Sequence, residues 1–130
     1  MSHSKDLPAL SEMQWEIMNV IWDRGACSVA EAWKTLSERR CVARNTVQTQ
    51  MARLEEKGWL ARTEAGNGLL YAPTVSRQQS QQLSVQRLIE TVFDGSPAGL
   101  VLALLHGGKL SKGEADRIRQ LITDSQGRKR

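Results

Sequence analysis

The sequence predicts a mainly α fold with a small β-hairpin: a winged helix-turn-helix followed by a three-helix dimerisation domain. Three observations predict it. Serines stand just ahead of helix-periodic stretches, with Gln or Glu three residues later: Ser11 and Gln14, Ser28 and Glu31, Ser76 and Gln79, Ser111 and Glu114. This is the spacing of a capping box, in which the Ser oxygen accepts a free backbone N–H and the Gln or Glu reaches back. The period changes once, after Gly58, to two short strand-like runs around Gly66-Asn67-Gly68. Helical stripes then resume after Ser76.

Each element follows in order. The first helix, after Ser11, carries Met13, Trp15, Ile17, Met18, Val20, Ile21 and Trp22 and is apolar on more than one side, as a central core helix is; Gly25 ends it. The second shows Val29, Ala32, Trp33 and Leu36, an i, i+3, i+4, i+7 stripe. The third, over 43–57, buries Val47, Met51 and Leu54; Gly58 closes it as a left-handed cap, with Trp59 folding back on Leu54. "WLART" and "LLYAP" then form a hairpin, a wing over 60–73, closed by Pro73. Beyond it, Val85, Leu88, Ile89 and Val92 form another helical stripe. Ser96-Pro97 starts a further helix, whose "GLVLALL" is apolar all round and is expected to be buried. Ile118, Leu121 and Ile122 give a last apolar face. Three short helices make a thin core, and so small a unit is marginal alone; a second copy of the chain is the simplest remedy. The expected organisation is a winged-helix DNA-binding domain over 1–75, a helical dimerisation domain over 76–125, and a basic disordered tail over 126–130.

Composition bounds the function. The chain has 130 residues with 40% hydrophobic and 25% charged side chains, enough for a packed core. No apolar run approaches the ~18 residues of a membrane helix, and the start of the chain lacks a signal-peptide run, so a cytoplasmic protein is expected. Cys27 and Cys41 lack metal-ligand spacing, and no metal or other cofactor is expected. A redox role for them would require DNA binding to respond to oxidant. No nucleophile with a base, paired carboxylates or phosphate loop stands out, so an enzyme is not expected. The four tryptophans, Trp15, Trp22, Trp33 and Trp59, sit at core spacing.

The net charge of +4 suggests an anionic partner. Acids and bases balance up to Val75, however, so bulk charge does not mark the first domain. Local charge does: Arg39, Arg40, Arg44 and Arg53 span a window without an acid. Stepping about 100° per residue from Val47, Asn45, Thr49 and Ala52 point away from the core, flanked by Thr46, Gln48 and Arg53. Short or planar hydrogen-bonding side chains, a small alanine and an arginine suit the DNA major groove. Asn and Gln can pair with adenine and Arg with guanine, and recognition helices enter with their N-terminal residues. The DNA-contacting residues expected on this helix are Arg44, Asn45, Thr46, Gln48, Thr49 and Arg53; Arg62 and Asn67 are expected on the wing. Glu55 and Glu56 would lie where the helix leaves the DNA. The alternative is a winged-helix protein-interaction adaptor without sequence-specific DNA binding, with this polar face simply wet.

"LSEMQWEIMNVIWDRG", "NTVQTQMARLEEKGWLAR" and "YAPTVS" resemble the penicillinase repressor family (BlaI/MecI), over about Leu10 to Ile122. The resemblance implies a homodimeric transcriptional repressor with a winged-helix N-domain and a three-helix dimerisation domain on an inverted-repeat, double-stranded DNA operator. It places DNA contacts on Asn45, Thr46, Gln48, Thr49 and Arg53. The apolar faces already noted are expected to carry that dimerisation, through Val85, Leu88, Ile89, Val92, Leu100, Val101, Leu104, Ile118, Leu121 and Ile122. The resemblance further implies relief through a membrane metalloprotease sensor pathway, with proteolytic cleavage between Ala103 and Leu104. A copper-responsive branch of the family carries a C-terminal cysteine cluster, which this chain lacks after Cys41.

Overall fold

The computed structural model describes residues 7–66 and 68–128, the last by its backbone alone. Its elements run α1 (Glu12–Arg24), α2 (Val29–Ser37), α3 (Arg44–Glu56), β1 (Leu60–Ala65), β2 (Gly68–Pro73), α4 (Arg77–Thr91), α5 (Pro97–His106) and α6 (Lys112–Arg128). It divides into two compact units, Met1–Val85 and Gln86–Arg130.

The first unit is a winged helix-turn-helix. Ser11 and Ser28 each make the full reciprocal capping box expected of them. Gly25 ends α1 at φ +85°, with its N–H bonded to Ile21 O at 2.7 Å. The core is formed by Ile17, Met18, Val20 and Ile21 of α1, Ala32 and Leu36 of α2, and Val47, Met51 and Leu54 of α3; Cys27, Trp59, Leu60 and Tyr71 complete it. α1 thus packs on both other helices and on β2, as a helix with several apolar sides must. The turn between α2 and α3 is pinned by the Trp33 indole, which donates to Val42 O at 2.8 Å.

The hairpin pairs antiparallel from Leu60↔Pro73 to Ala65↔Gly68. Its base is tied down by a feature the sequence did not disclose. Cys27 and Tyr71 exchange backbone hydrogen bonds of 3.1 and 2.8 Å, adding a one-residue third strand. Beyond that base the wing is exposed on both faces: in β1 only Leu60 is buried, and Leu69 is exposed.

The tryptophans are less deeply placed than core spacing suggested. Only Trp59 is buried; Trp15, Trp22 and Trp33 are half-buried. Their size and polar edge explain this: the half-buried Trp22 indole donates to Val75 O at 3.0 Å, while buried Trp59 donates to Pro8 O at 2.9 Å. Trp15 packs beside both rings at 6.0 and 6.3 Å between centroids.

The division between units falls within α4, ten residues beyond Val75. The first turns of α4 belong with the winged helix because Arg77 donates to Asn19 O at 2.9 Å and to Asp23 Oδ1 at 2.7 Å, stacks over Trp22, and is followed by buried Ser80. In the second unit, Ser96 accepts from Gly99 N–H at 2.9 Å ahead of Pro97, and Ser111 and Glu114 form a capping box. Two expectations change here. α5, though apolar all round and expected to be buried, has no buried residue. α6 continues through Arg128, so residues 126–128, expected in a disordered tail, are helical. The Gln120–Asp124 bond at 3.0 Å supports its last turns. Residues 129 and 130 lie outside the described residues.

Candidate nucleic-acid interface

The outward face of α3 is the best-formed candidate site. Val47, Met51 and Leu54 are completely buried, which fixes the rotation of the helix about its axis. Arg44, Asn45, Gln48, Thr49, Ala52 and Arg53 are consequently exposed, and Thr46 is half-buried at the edge. The first turn has no acid, and Ala43 caps it without a side-chain hydrogen bond. Its free N–H groups and the positive end of the helix dipole therefore face outward, a combination that favours phosphate. Among the described residues no ion pair engages Arg44 or Arg53, so both guanidinium groups are available to an external anion.

Other members of the basic window are less free. Arg40 is held by Glu16 at 2.8 Å, while Arg39 is exposed. On the wing, Arg62 lies 3.5 Å from Glu55, a partner that sequence spacing did not suggest. The pair is solvent-exposed and worth less than about 1 kcal/mol, and it joins the wing to the C-terminal end of α3. Asn67, the other expected wing contact, lies outside the described residues. Gly66, before it, has φ +45°, a left-handed conformation suited to a tight turn.

A second set of residues holds α3 from the side of α1, and sequence reasoning assigned only one of its tasks. Gln14 is the reciprocal member of the α1 capping box, and its amide also donates to Gln50 Oε1 at 3.0 Å. Lys57 Nζ donates to Gln14 Oε1 at 2.8 Å and to Ala9 O at 3.0 Å. At the end of α3, Gly58 has φ +90° and Trp59 N–H bonds to Leu54 O at 2.9 Å, the left-handed cap expected there. No signal at sequence level links Gln14 to Gln50, because the contact joins two helices across 36 positions.

The cysteines are both free thiols, Cys27 buried and Cys41 exposed. Burial pushes the Cys27 thiol above its ordinary value, with nearby Arg24 working against that rise. Among the described residues, no three His, Cys, Asp or Glu side chains come together in a way that could hold a metal. Among the described residues, no helix is long and apolar enough to cross a membrane.

Known proteins resemble this chain in sequence and in fold. Residues 10–124 match the family model described as penicillinase repressor. The penicillinase repressor of Bacillus licheniformis is 26% identical over 126 residues, covering 97% of this chain and 98% of that one. The methicillin resistance regulatory protein MecI of Mammaliicoccus sciuri is 25% identical over 113 residues, covering 87% and 92%. Among solved structures, the monomeric form of B. licheniformis BlaI in complex with the blaP half-operator is similar at a TM-score of 0.51 and 30% identity, over 57% of this chain and 90% of that one. The oxidized form of MarR from E. coli, at a TM-score of 0.54 and 20% identity over 90% and 76%, shares the fold. With a match spanning nearly its full length, the chain belongs to the penicillinase repressor family.

Proposed function

We propose that this protein is a homodimeric transcriptional repressor that binds an inverted-repeat DNA operator through helix 43–57 and the wing 60–73. The observation that carries the reading is the acid-free outward face of α3: Asn45, Gln48, Thr49 and Ala52 exposed together, with Arg44 and Arg53 outside any ion pair among the described residues. Asn45 and Gln48 supply amides suited to adenine, Arg53 a guanidinium suited to guanine or phosphate, and Ala52 lets the backbone approach. Arg44, Thr46 and Thr49 serve phosphates or thymine methyl groups. Arg62 and Asn67 extend the contact along the wing. The B. licheniformis relative, solved with a half-operator, supports DNA as the ligand.

The second unit supplies the dimer in this reading. In it Leu88, Val92, Val101, Leu104, Leu121 and Ile122 are exposed and Ile89, Leu100 and Ile118 are half-buried; Val85, the last residue of the first unit, is exposed too, and exposed apolar side chains of this kind mark surfaces that a partner covers. Joining two half-site contacts makes the second intramolecular and raises affinity by about 10² or more. Relief of repression through a membrane metalloprotease sensor pathway would act here, by a cut between Ala103 and Leu104. Both residues are exposed on α5, and Gly99 and Gly107-Gly108 at its ends ease the local opening a protease needs.

Selection from a pool of random duplexes tests the reading. Enrichment of an inverted repeat is expected, with steeply salt-dependent binding as phosphate contacts release counterions. The Arg53→Ala variant is expected to weaken binding strongly while remaining dimeric. A pool that yields no preferred sequence would identify a protein-binding adaptor instead.

A further inference from the structure

Resting on the DNA-binding reading above, we infer that Gln50 is an additional DNA contact, an N–H donor to a backbone phosphate, and that Gln14 is the positioning residue that orients its amide. Gln14 is only 4% exposed. Its side-chain oxygen accepts from Lys57 Nζ at 2.8 Å and from Ser11 N–H at 3.0 Å. An ammonium and a backbone N–H can only donate, so the Gln14 atom between them must be oxygen. The other end of that amide is therefore NH2, and it donates to Gln50 at 3.0 Å. Gln50 must then turn its own oxygen toward Gln14 and its Nε2 away. That outward Nε2 makes no hydrogen bond among the described residues and is not a buried, unpartnered atom; it reaches solvent.

The position of Gln50 on α3 says what this donor meets. It lies one turn beyond Thr46 and three residues before Arg53, along the edge of α3 that faces α1, about 60° from the buried line through Val47. Asn45 and Thr49 point squarely away from the core and would meet base edges. A residue at the helix edge instead meets the sugar–phosphate wall of the groove, where side-chain amides are regular donors. Phosphate oxygens accept only. An amide held with its NH2 outward is matched to them, whereas an unrestrained amide presents either end. Orienting it before DNA arrives also removes part of the ordering cost of binding. Lys57, at the head of this series of bonds, thus influences the interface through polarity rather than through a direct contact.

Four variants of the full-length protein test the assignment: Gln50→Met, Gln50→Glu, Gln14→Met and the double Gln14→Met/Gln50→Met. Each is titrated against the inverted-repeat duplex selected from the random pool and against an unrelated duplex of equal length, with circular dichroism confirming the fold. Gln50→Met is expected to weaken both duplexes equally, by about tenfold or more, the span of one hydrogen bond to a charged group. The salt slope should stay at the wild-type value, because no cation is removed. Gln50→Glu keeps an acceptor for Gln14 but turns a carboxylate toward the phosphates, and should weaken binding further. Gln14→Met should lose affinity alone and add no loss in the Gln50→Met background, since it acts through Gln50. Unchanged affinity in Gln50→Met, or a loss confined to the selected duplex, would overturn the phosphate contact; additive losses would overturn the positioning role of Gln14. Arg53→Ala separates the two readings. If it weakens binding while Gln50→Met does not, the Gln50 assignment alone fails. If wild type prefers no duplex, the DNA-binding reading fails with it.

Discussion

Helices α1 and α5 are both apolar round most of their circumference, yet their burial is opposite. Ile17, Met18, Val20 and Ile21 of α1 are at most 1% exposed, while no residue of α5 is buried and Leu102 is 51% exposed. The two helices start alike, with a serine cap. The difference is the company each keeps. α1 has α2, α3 and β2 around it within the same chain. α5 keeps an exposed apolar surface. Local signals of helix formation are therefore alike in the two units, and burial is not: the winged helix has a core of its own, whereas the second unit, on the dimer proposed above, is completed by a second copy.

The comparison breaks most readily by removing one leucine from each unit. Leu54→Ala, in the winged-helix core, should destabilise by about 2–5 kcal/mol, equally at all protein concentrations. Leu104→Ala should act through assembly, so its unfolding midpoint should fall most at low concentration, where mass action no longer favours the dimer. Thermal unfolding of both variants over a wide concentration range checks this. Identical concentration dependence in the two would end the distinction between a self-sufficient and a completed unit.

A smaller effect sharpens the comparison at the level of caps. Ser28→Ala removes the N-cap of α2 and should cost about 1 kcal/mol in the winged helix, measured by denaturant unfolding. The box also carries a pH signature. The Glu31 carboxyl is held below its ordinary value, first by the Ser28 N–H, then by the Ser28 hydroxyl, with Arg24 adding to it. Its folded value lies below its unfolded one, so its contribution is complete above the ordinary carboxylate range and disappears as pH falls through the lowered value. The gap between wild type and Ser28→Ala should therefore narrow in acid without closing, because residue 28 keeps its N–H in the variant and the bond from Glu31 N–H to the Ser28 hydroxyl does not titrate. A gap that stays constant down to the acid transition would show that the Ser28 hydroxyl does not act on the Glu31 carboxylate.

The smallest expected effect concerns the thiols. A mild alkylating reagent should label exposed Cys41 and leave Cys27, 1% exposed, untouched until the winged helix unfolds. Mass spectrometry of the native protein reads this directly; early labelling of Cys27 would mean that the Cys27–Tyr71 bridge opens in the native state.

Much of the fold is legible in the residues because it rests on short-range chemistry. Ser11, Ser28 and Ser111 announce their helices by contacts three residues away, and the hairpin announces itself by a two-residue turn. The exposed face of α3 follows from Val47, Met51 and Leu54, because burying one stripe of a rigid helix fixes every other direction. The pairing of Arg62 with Glu55, the bridge between Cys27 and Tyr71, and the hold of Arg77 on α1 were not legible. Each joins elements whose relative placement no local pattern encodes.

By itself, the sequence determined which segments are helices, where they start, where the chain reverses, and which side of α3 faces outward. Those properties depend on neighbours within a turn or two, and a capping serine or a buried stripe acts wherever the helix sits. Tertiary structure alone decided that Gln14 touches Gln50, that Lys57 sets the polarity of that contact, and that no residue of α5 is buried. Hydrogen-bond polarity and burial depend on which groups the fold brings within a few ångströms, and those groups come from distant parts of the chain.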